Sequence, residues 1–337
     1  MMYRKQRQMA SIEIKEIKKE DYGLWDELVG KSPQGTIFHG SDWLDTCAKS
    51  LGKELRIFGC FKNGHLLAGC SFYVYKKGFF KIASSAISGT AFGGVILEKA
   101  RSDDIRRREE SLNDAIESLC IALENEHFDY IQLVNSPDFI DIRPFMWNGW
   151  QSVVYYAYYL DLADFGKNVS KDARWTVNKA KKGGVATEKS EDIALFYELY
   201  KETYMRQSLK PPASEDFFRN IYNLLRNQNK GEMWIAKTKS GEVAAAEIII
   251  YDNKRAYRWS AASHSELRKT GAPSLLLYEI FQDLEKKGFK EINLMAANTP
   301  HLAKFMAQFN PRLVPYYAVV KKSTLTKIAE YLLRRKR

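Results

Sequence analysis

Four side chains stand out as groups that can move protons: Glu247, His264, Tyr316 and Tyr317. Glu247 is an acid inside an otherwise apolar run, Ala244 to Tyr251, and alternation puts it on the face of Ala245 and Ile249. It therefore either faces a cleft or lies on the solvent side of a half-buried strand, and alternation favours the solvent side. His264 is a candidate base, although a loop histidine also needs no function. Tyr316 and Tyr317 are candidate proton donors, and a pair at Tyr155-Tyr156 suggests a shared packing role as well. Close by runs Arg268-Lys269-Thr270-Gly271-Ala272-Pro273, followed by Ser274. A cation, a Gly that lets the backbone approach a ligand, and a Pro suited to the first helical turn make a phosphate cradle. In isolation the same six residues describe an ordinary strand-to-helix turn.

The elements that must position these groups run from Trp234 to Met295. Two strand-like runs join at Ser240-Gly241, a third spans Ala256 to Ala262, an amphipathic helix spans Ser274 to Lys287, and Glu291 to Met295 reads as a closing strand. This arrangement has a counterpart upstream. Phe128-Asp129-Tyr130-Ile131-Gln132-Leu133 aligns with Phe289-Lys290-Glu291-Ile292-Asn293-Leu294, and Val153-Val154-Tyr155-Tyr156-Ala157 aligns with Val314-Pro315-Tyr316-Tyr317-Ala318, both at an offset of 161. Asn63-Gly64 sits between two strand runs as Ser240-Gly241 does. The chain reads as two copies of one α/β unit.

Composition agrees with a folded protein of two domains. The chain has 337 residues, a formal net charge of +11 and no apolar run long enough for a membrane span. Residues 1–10 are basic and polar, without the apolar core of a secretory signal, and read as a disordered leader. Cys47, Cys60, Cys70 and Cys120 lack C-x-x-C spacing, so buried free thiols in a reducing cytoplasm are expected. The five histidines show no ligand spacing, and no metal site is expected. The charge points to anionic partners without choosing among nucleotides, RNA and lipid headgroups. Part of it is terminal, in Arg334-Arg335-Lys336-Arg337.

Between the copies, Ser170 to Gly184 reads as a basic amphipathic helix, capped by Ser170 and stopped by Gly183-Gly184. Ala173, Val177 and Ala180 form its apolar stripe, with Arg174, Asn178 and Lys181 beside it and Lys179 and Lys182 nearby. The bland reading is a solvated helix whose lysines favour its own C-terminal dipole. Helices are also expected at Asp21–Val29, Ser41–Ser50, Ser111–Glu126, Glu191–Met205, Ser214–Asn227 and Ser323–Leu333. The domain plan is 1–10 leader, 11–165 first domain, 166–190 connector, 191–322 second domain and 323–337 basic C-terminal helix.

These features together resemble the GNAT acyltransferase superfamily, whose acyl-CoA loop Arg268 and Gly271 match. The resemblance narrows to the tandem-GNAT, FemAB-like branch that includes the Fem-type peptidyltransferases. It is carried by Arg174-x-x-x-x-Lys179-Ala180-x-Lys182-Gly183, by Phe196-Tyr197-x-Leu199-Tyr200-x-x-Thr203-x-x-Arg206, by Phe217-Phe218, by Pro273-Ser274-Leu275-Leu276 and by Pro315-Tyr316-Tyr317. It spans about residues 35 to 322. Where relatives often have Asp-Phe-Gly, this chain has Asn293-Leu294-Met295, and Phe305-Met306 stands where they tend to have Phe-Lys. No heptad run for a tRNA-binding coiled coil is present.

The resemblance implies two GNAT-like domains, each a mixed, mostly antiparallel sheet flanked by helices. It implies an N-acyltransferase with no tightly bound cofactor, acyl-CoA as co-substrate, and an amine acceptor held between the domains near Arg174, Lys179, Lys182 and Arg206. A backbone N–H beside a splayed strand, from the small run Ser260-Ala261-Ala262-Ser263, would polarise the acyl carbonyl, with Ala261 and Ala262 among the donor-binding residues. Residues Arg268 to Ala272 and Ser274 would hold the donor, and the oligomeric state is left open. Two alternatives stand beside this: an aminoacyl-tRNA-dependent Fem-type transferase acting on a peptidoglycan precursor, and a catalytically degenerate protein that binds a ligand or membrane. The expected location is cytoplasmic, with the basic C-terminal helix as a peripheral contact at the inner membrane surface.

Overall fold

The computed structural model describes residues 12–99, 104–163, 165–206 and 208–335. The leader at 1–10 and the last two cations lie outside these residues. The chain forms two compact units. The first comprises residues 1–48, 53–153 and 317–337, and the second comprises 49–52 and 154–316.

In the first unit β1 (Glu13–Glu16) pairs antiparallel with β2 (Glu54–Lys62), and β2 with β3 (His65–Lys77). The β2–β3 turn is Asn63-Gly64, with φ of 52° and 78°. Both values lie in the left-handed region that a two-residue primed turn requires. Next come β4 (Phe80–Ser84), a short β5 (Val95–Leu97) against β3, and β6 (Tyr130–Val134) parallel to β4. Helices α1 (Tyr22–Lys31), α2 (Ser41–Leu51), α3 (Ile105–Asn125) and α4 (Arg143–Trp147) flank this sheet. The third of these begins six residues before the expected Ser111, because Asp104 caps it by accepting the amides of Arg106 and Arg107. Ile116, Leu119 and Leu123 on α3 bury against Phe58, Phe72, Ile131 and Leu133. All four cysteines are buried free thiols in this unit, and burial raises each of them.

The second unit starts with β7 (Gln151–Asp161), then α5 (Phe165–Asn168) and α6 (Lys171–Lys182). Ser170 caps α6 by accepting the Ala173 amide, and its Ala173–Val177–Ala180 stripe is buried, as its spacing predicts. Then follow β8 (Ala186–Ser190), α7 (Ile193–Met205), α8 (Glu215–Asn227), β9 (Gly231–Lys237), β10 (Val243–Tyr251) and β11 (Ala256–Ser263). The sequence continues through α9 (Ala272–Lys286), β12 (Glu291–Met295), α10 (Pro300–Ala307) and β13 (Arg312–Lys322), and α11 (Thr324–Arg335) ends it. Strands β8 to β11 form an antiparallel meander, and β12 joins β11 in parallel. One face is covered by α6 and α9, whose Leu276, Leu277, Ile280 and Phe281 meet Ala245, Ile249 and Ile292.

The duplication is visible in the element bounds. β6 and β12 begin and end 161 residues apart, and so do β7 and β13. The domain boundaries differ from those expected at 165 and 322. Residues 158–161 of β7, the last strand of the first copy, pair with β12 in the second unit. Residues 318–322 of β13 pair with β6 in the first. Each copy hands its closing strand to the other unit.

Candidate active site

The site is a parting between two parallel strands. β11 and β12 pair only at Ala256–Ile292 and Tyr257–Asn293, although β11 continues to Ser263. A bulge starts the divergence: Ile248 faces Ser260 and Ile249 faces Arg258, which leaves Trp259 unmatched. Trp259 packs on Phe218 and Phe217 of α8, with ring centroids 5.4 and 6.1 Å away. Beyond the bulge the outer edge of β11 has no β12 partner.

That edge presents backbone donors. His264 gives its amide to the Ala244 carbonyl at 3.0 Å. Antiparallel ladders alternate, so Ala262, opposite Ala246, turns its amide the same way. The amides of Ala261 and Ser263 therefore point to the open side. Of the run Ser260–Ser263, Ala261 and Ser263 turn their amides away from β10, whereas Ser260 and Ala262 turn theirs toward it.

The first unit has the same parting, but it is filled. β4 and β6 pair over Ile82–Ser84, after which the Ser85 hydroxyl accepts the Val134 amide at 2.7 Å. Gly93 and Gly94 both donate to the Val134 carbonyl, at 3.1 and 3.0 Å. A Cβ on Gly94 would lie 2.2 Å from Asn135 Oδ1, so only glycine allows this segment to sit so close. The glycine-rich Gly89–Gly94 stretch thus plugs the first opening, whereas in the second no described strand pairs with β11 beyond Tyr257.

Around the end of β11 the structure gathers His264, Arg206, Glu202 and Arg268. His264 Nε2 is 3.9 Å from Glu202 Oε2, and His264 Nδ1 is buried without a hydrogen-bond partner among the described residues. Glu202 Oε1 accepts from the Ser265 hydroxyl at 3.0 Å, the Ser265 amide at 3.3 Å and Arg206 at 3.3 Å. Burial pushes the Glu202 carboxyl up, but the Ser265 hydrogen bonds and the nearby His264 and Arg206 outweigh it and hold the group below its usual range. Arg268 donates Nε to Ser263 Oγ at 3.0 Å, and burial together with the Arg206 charge lowers its guanidinium. Glu202 and Arg206 line a pocket of about 610 Å³ with His264, Leu199 and Met205. Glu202 was not legible in the sequence, because its partner Ser265 is 63 residues away.

Glu247 is not on the solvent side. It is 3 % exposed, and its Oε1 accepts from Arg258 at 2.7 Å. Glu247 Oε2 and Arg258 Nε are buried without partners. Burial pushes the Glu247 carboxyl up, against the pull of Arg258. The solvent assignment fails because the face that carries Ala245 and Ile249 is the one covered by α6 and α9. Tyr316 and Tyr317 fall in different units. Tyr316 is pushed up to about 12, chiefly by burial, stacks beside Tyr155 at 5.5 Å, and has Asn298 Nδ2 at 3.4 Å from its hydroxyl. The Tyr317 carbonyl accepts the Asn135 amide in the first unit.

The expected phosphate loop takes a different form. Glu266–Thr270 is a 3₁₀ turn, and α9 starts at Ala272 rather than Ser274. Arg268 and Lys269 are exposed, while Gly271, Ala272 and Ser274 are buried. The helix-start donors are used internally: Ala272 N–H on Thr270 Oγ1 at 3.2 Å, Ser274 and Leu275 N–H on the Gly271 carbonyl at 3.1 Å, while Pro273 has none. Gly271 has φ 80°, and a Cβ there would lie 2.8 Å from the Thr176 carbonyl of α6. Its freedom serves helix packing. Arg174, Lys179 and Lys182 are exposed on α6, and Lys179 lies over the Trp175 ring at 5.3 Å. Among the described residues no cluster suits a metal ion, and no helix is long and apolar enough to cross a membrane.

Residues 167–301 match the family model described as an acetyltransferase (GNAT) domain. No curated protein matches. Among solved structures, FemX is similar at 12 % identity with a TM-score of 0.68, over 90 % of this chain and 96 % of FemX. L-PGS from Bacillus licheniformis is similar at 14 % identity and TM-score 0.58, over 95 % and 97 %. A tandem GNAT protein from the clavulanic acid biosynthesis pathway is similar at 12 % identity and TM-score 0.55, over 92 % and 98 %. These likenesses show the fold, and the whole of it.

Proposed function

We propose that this chain, a tandem-GNAT protein with its acyltransferase domain in the second half, moves an acyl group to an amine at the open edge of β11. One observation supports the reading: of two equivalent strand partings, the first is plugged, while in the second no described strand pairs with the outer edge of β11 beyond Tyr257. An acyl carbonyl lying in that opening would receive the Ala261 N–H, which strengthens as the oxygen becomes an oxyanion. His264, with Glu202 beside it, takes the proton of the attacking amine. Glu247 is not that base, because its carboxylate is buried against Arg258. Tyr316 keeps its proton at neutral pH and can give it to the departing thiolate or ribose oxygen.

Acyl-CoA is the donor this reading takes first, with Arg268 and Arg206 supplying charge for its phosphates. The internal hydrogen bonds of Ala272, Ser274 and Leu275 favour the second reading, an aminoacyl-tRNA donor, which does not need the helix-start amides. The likeness to FemX points the same way. Calorimetric titration with acetyl-CoA and with charged tRNA separates the two, since tRNA binding weakens steeply with salt. Binding of neither donor would overturn both. Ala261→Pro deletes the one proposed donor while leaving the β10 ladder intact, because that N–H faces away from it. Transfer should fall about 10²- to 10³-fold; an unchanged rate would refute the carbonyl assignment.

A further inference from the structure

The first unit carries a surface that the transfer chemistry does not use. The β3–β4 turn reads Lys76-Lys77-Gly78-Phe79-Phe80-Lys81, and Phe79 at its tip is 76 % exposed. On α11, Leu325, Ile328 and Leu332 repeat at helical spacing and are each more than half exposed, as are Tyr331 and Leu333. A helix whose apolar stripe faces water is poised to bury that stripe elsewhere.

The two features leave the same end of the same sheet. Ile82 of β4 pairs with Tyr130 of β6, and Tyr130 pairs with Lys322 of β13, directly before α11. Asp129 ties them together. Its amide donates to the Lys81 carbonyl and its carboxylate accepts the Lys81 amide, both at 2.8 Å. Its carbonyl accepts the Ser323 amide at 2.9 Å and the Thr326 hydroxyl at 2.8 Å. The aromatic tip and the start of the amphipathic helix are thus anchored to one residue.

Charge selects the partner. Three lysines in the turn, and five cations against one acid in residues 324–337, carry +7 of the chain's +11. The one acid, Glu330, is already paired with Lys322 at 2.7 Å. Exposed apolar groups ringed by cations fit a surface that offers hydrocarbon beneath negative charge.

We infer that the Phe79 turn and α11 form a docking surface for an anionic phospholipid bilayer. Phe79 and the Leu325–Ile328–Leu332 stripe enter the boundary between headgroups and acyl chains, while Lys76, Lys77, Lys327 and Arg335 meet lipid phosphates. The test is flotation of the full chain with phosphatidylcholine vesicles, and with vesicles containing about 30 % phosphatidylglycerol. The expected result is binding to the anionic vesicles that weakens between about 0.1 and 0.5 M salt as charges are screened. Phe79→Ser, and separately Ile328→Ser with Leu332→Ser, should each weaken it about tenfold. These side chains are exposed, so both variants keep the fold. Equal binding to neutral vesicles, or no loss in either variant, would overturn the inference. A concentration-dependent dimer seen by light scattering and abolished by Ile328→Ser with Leu332→Ser would also overturn it, by making the stripe a seam between copies.

Discussion

Arg258→Met tests what the buried pair contributes. The substitution keeps most of the side-chain volume but leaves Glu247 without its cation, in a site where the carboxylate is 3 % exposed. Breaking a buried pair on one side costs about 3–5 kcal/mol. For a unit of this size, roughly 2–4 °C of melting temperature goes with each kcal/mol. The midpoint of the second unit should therefore fall by about 10 °C. Adding Glu247→Met removes the stranded charge, and the double variant should return to within about 1 kcal/mol of the parent or exceed it. The loss should also depend on pH. The Glu247 carboxyl is already raised in the folded state, so its favourable contribution is present below the unfolded value and is lost as pH rises through the folded one. Without Arg258 it rises further, and the cost of Arg258→Met should be smaller at about pH 5 than at about pH 8. Calorimetric scans of the parent, the single variant and the double variant at both pH values make the measurement. A double variant as unstable as the single one, or a cost that ignores pH, would refute the account of the pair.

Tyr316→Phe should lower turnover about 10²-fold or more if the hydroxyl protonates the leaving group, with the melting temperature nearly unchanged; single-turnover kinetics with a donor that has a better leaving group should recover most of the loss. Gly271→Ala should destabilise the second unit by more than about 1 kcal/mol, because φ is 80° and the new Cβ meets the Thr176 carbonyl. A thermal scan reads this, and a neutral result would mean that α6 moves aside freely.

Local signals carried most of the fold. The strand Glu291–Met295 was legible to the residue and the apolar run Ala244–Tyr251 to within one, because turn residues bound short apolar runs. Ser170 was legible as a cap because the serine precedes a periodic segment. Short or polar elements escaped: β5 has three residues, β8 is Ala-Thr-Glu-Lys-Ser, and α10 opens on a proline. The site was half legible. His264, Arg206 and Arg268 were picked as separate candidates and do gather, whereas Glu247 was misplaced because alternation alone cannot tell a solvated face from one covered by a second layer of helices. Gly271 shows the same limit, since the atom that demands glycine belongs to Thr176, far upstream.

The exchange of closing strands has a consequence for biosynthesis. The first unit needs residues 318–322 beside β6, so it cannot be completed while the ribosome is still making the second half. Its sheet must wait with the outer edge of β6 unpaired, and an unpaired strand edge invites association with other chains. What the second unit takes from upstream, residues 49–52 and 154–161, is already synthesised when β12 emerges. The half that carries the open site can therefore mature first, and the half that carries the basic, apolar surface is sealed last, once β13 has emerged.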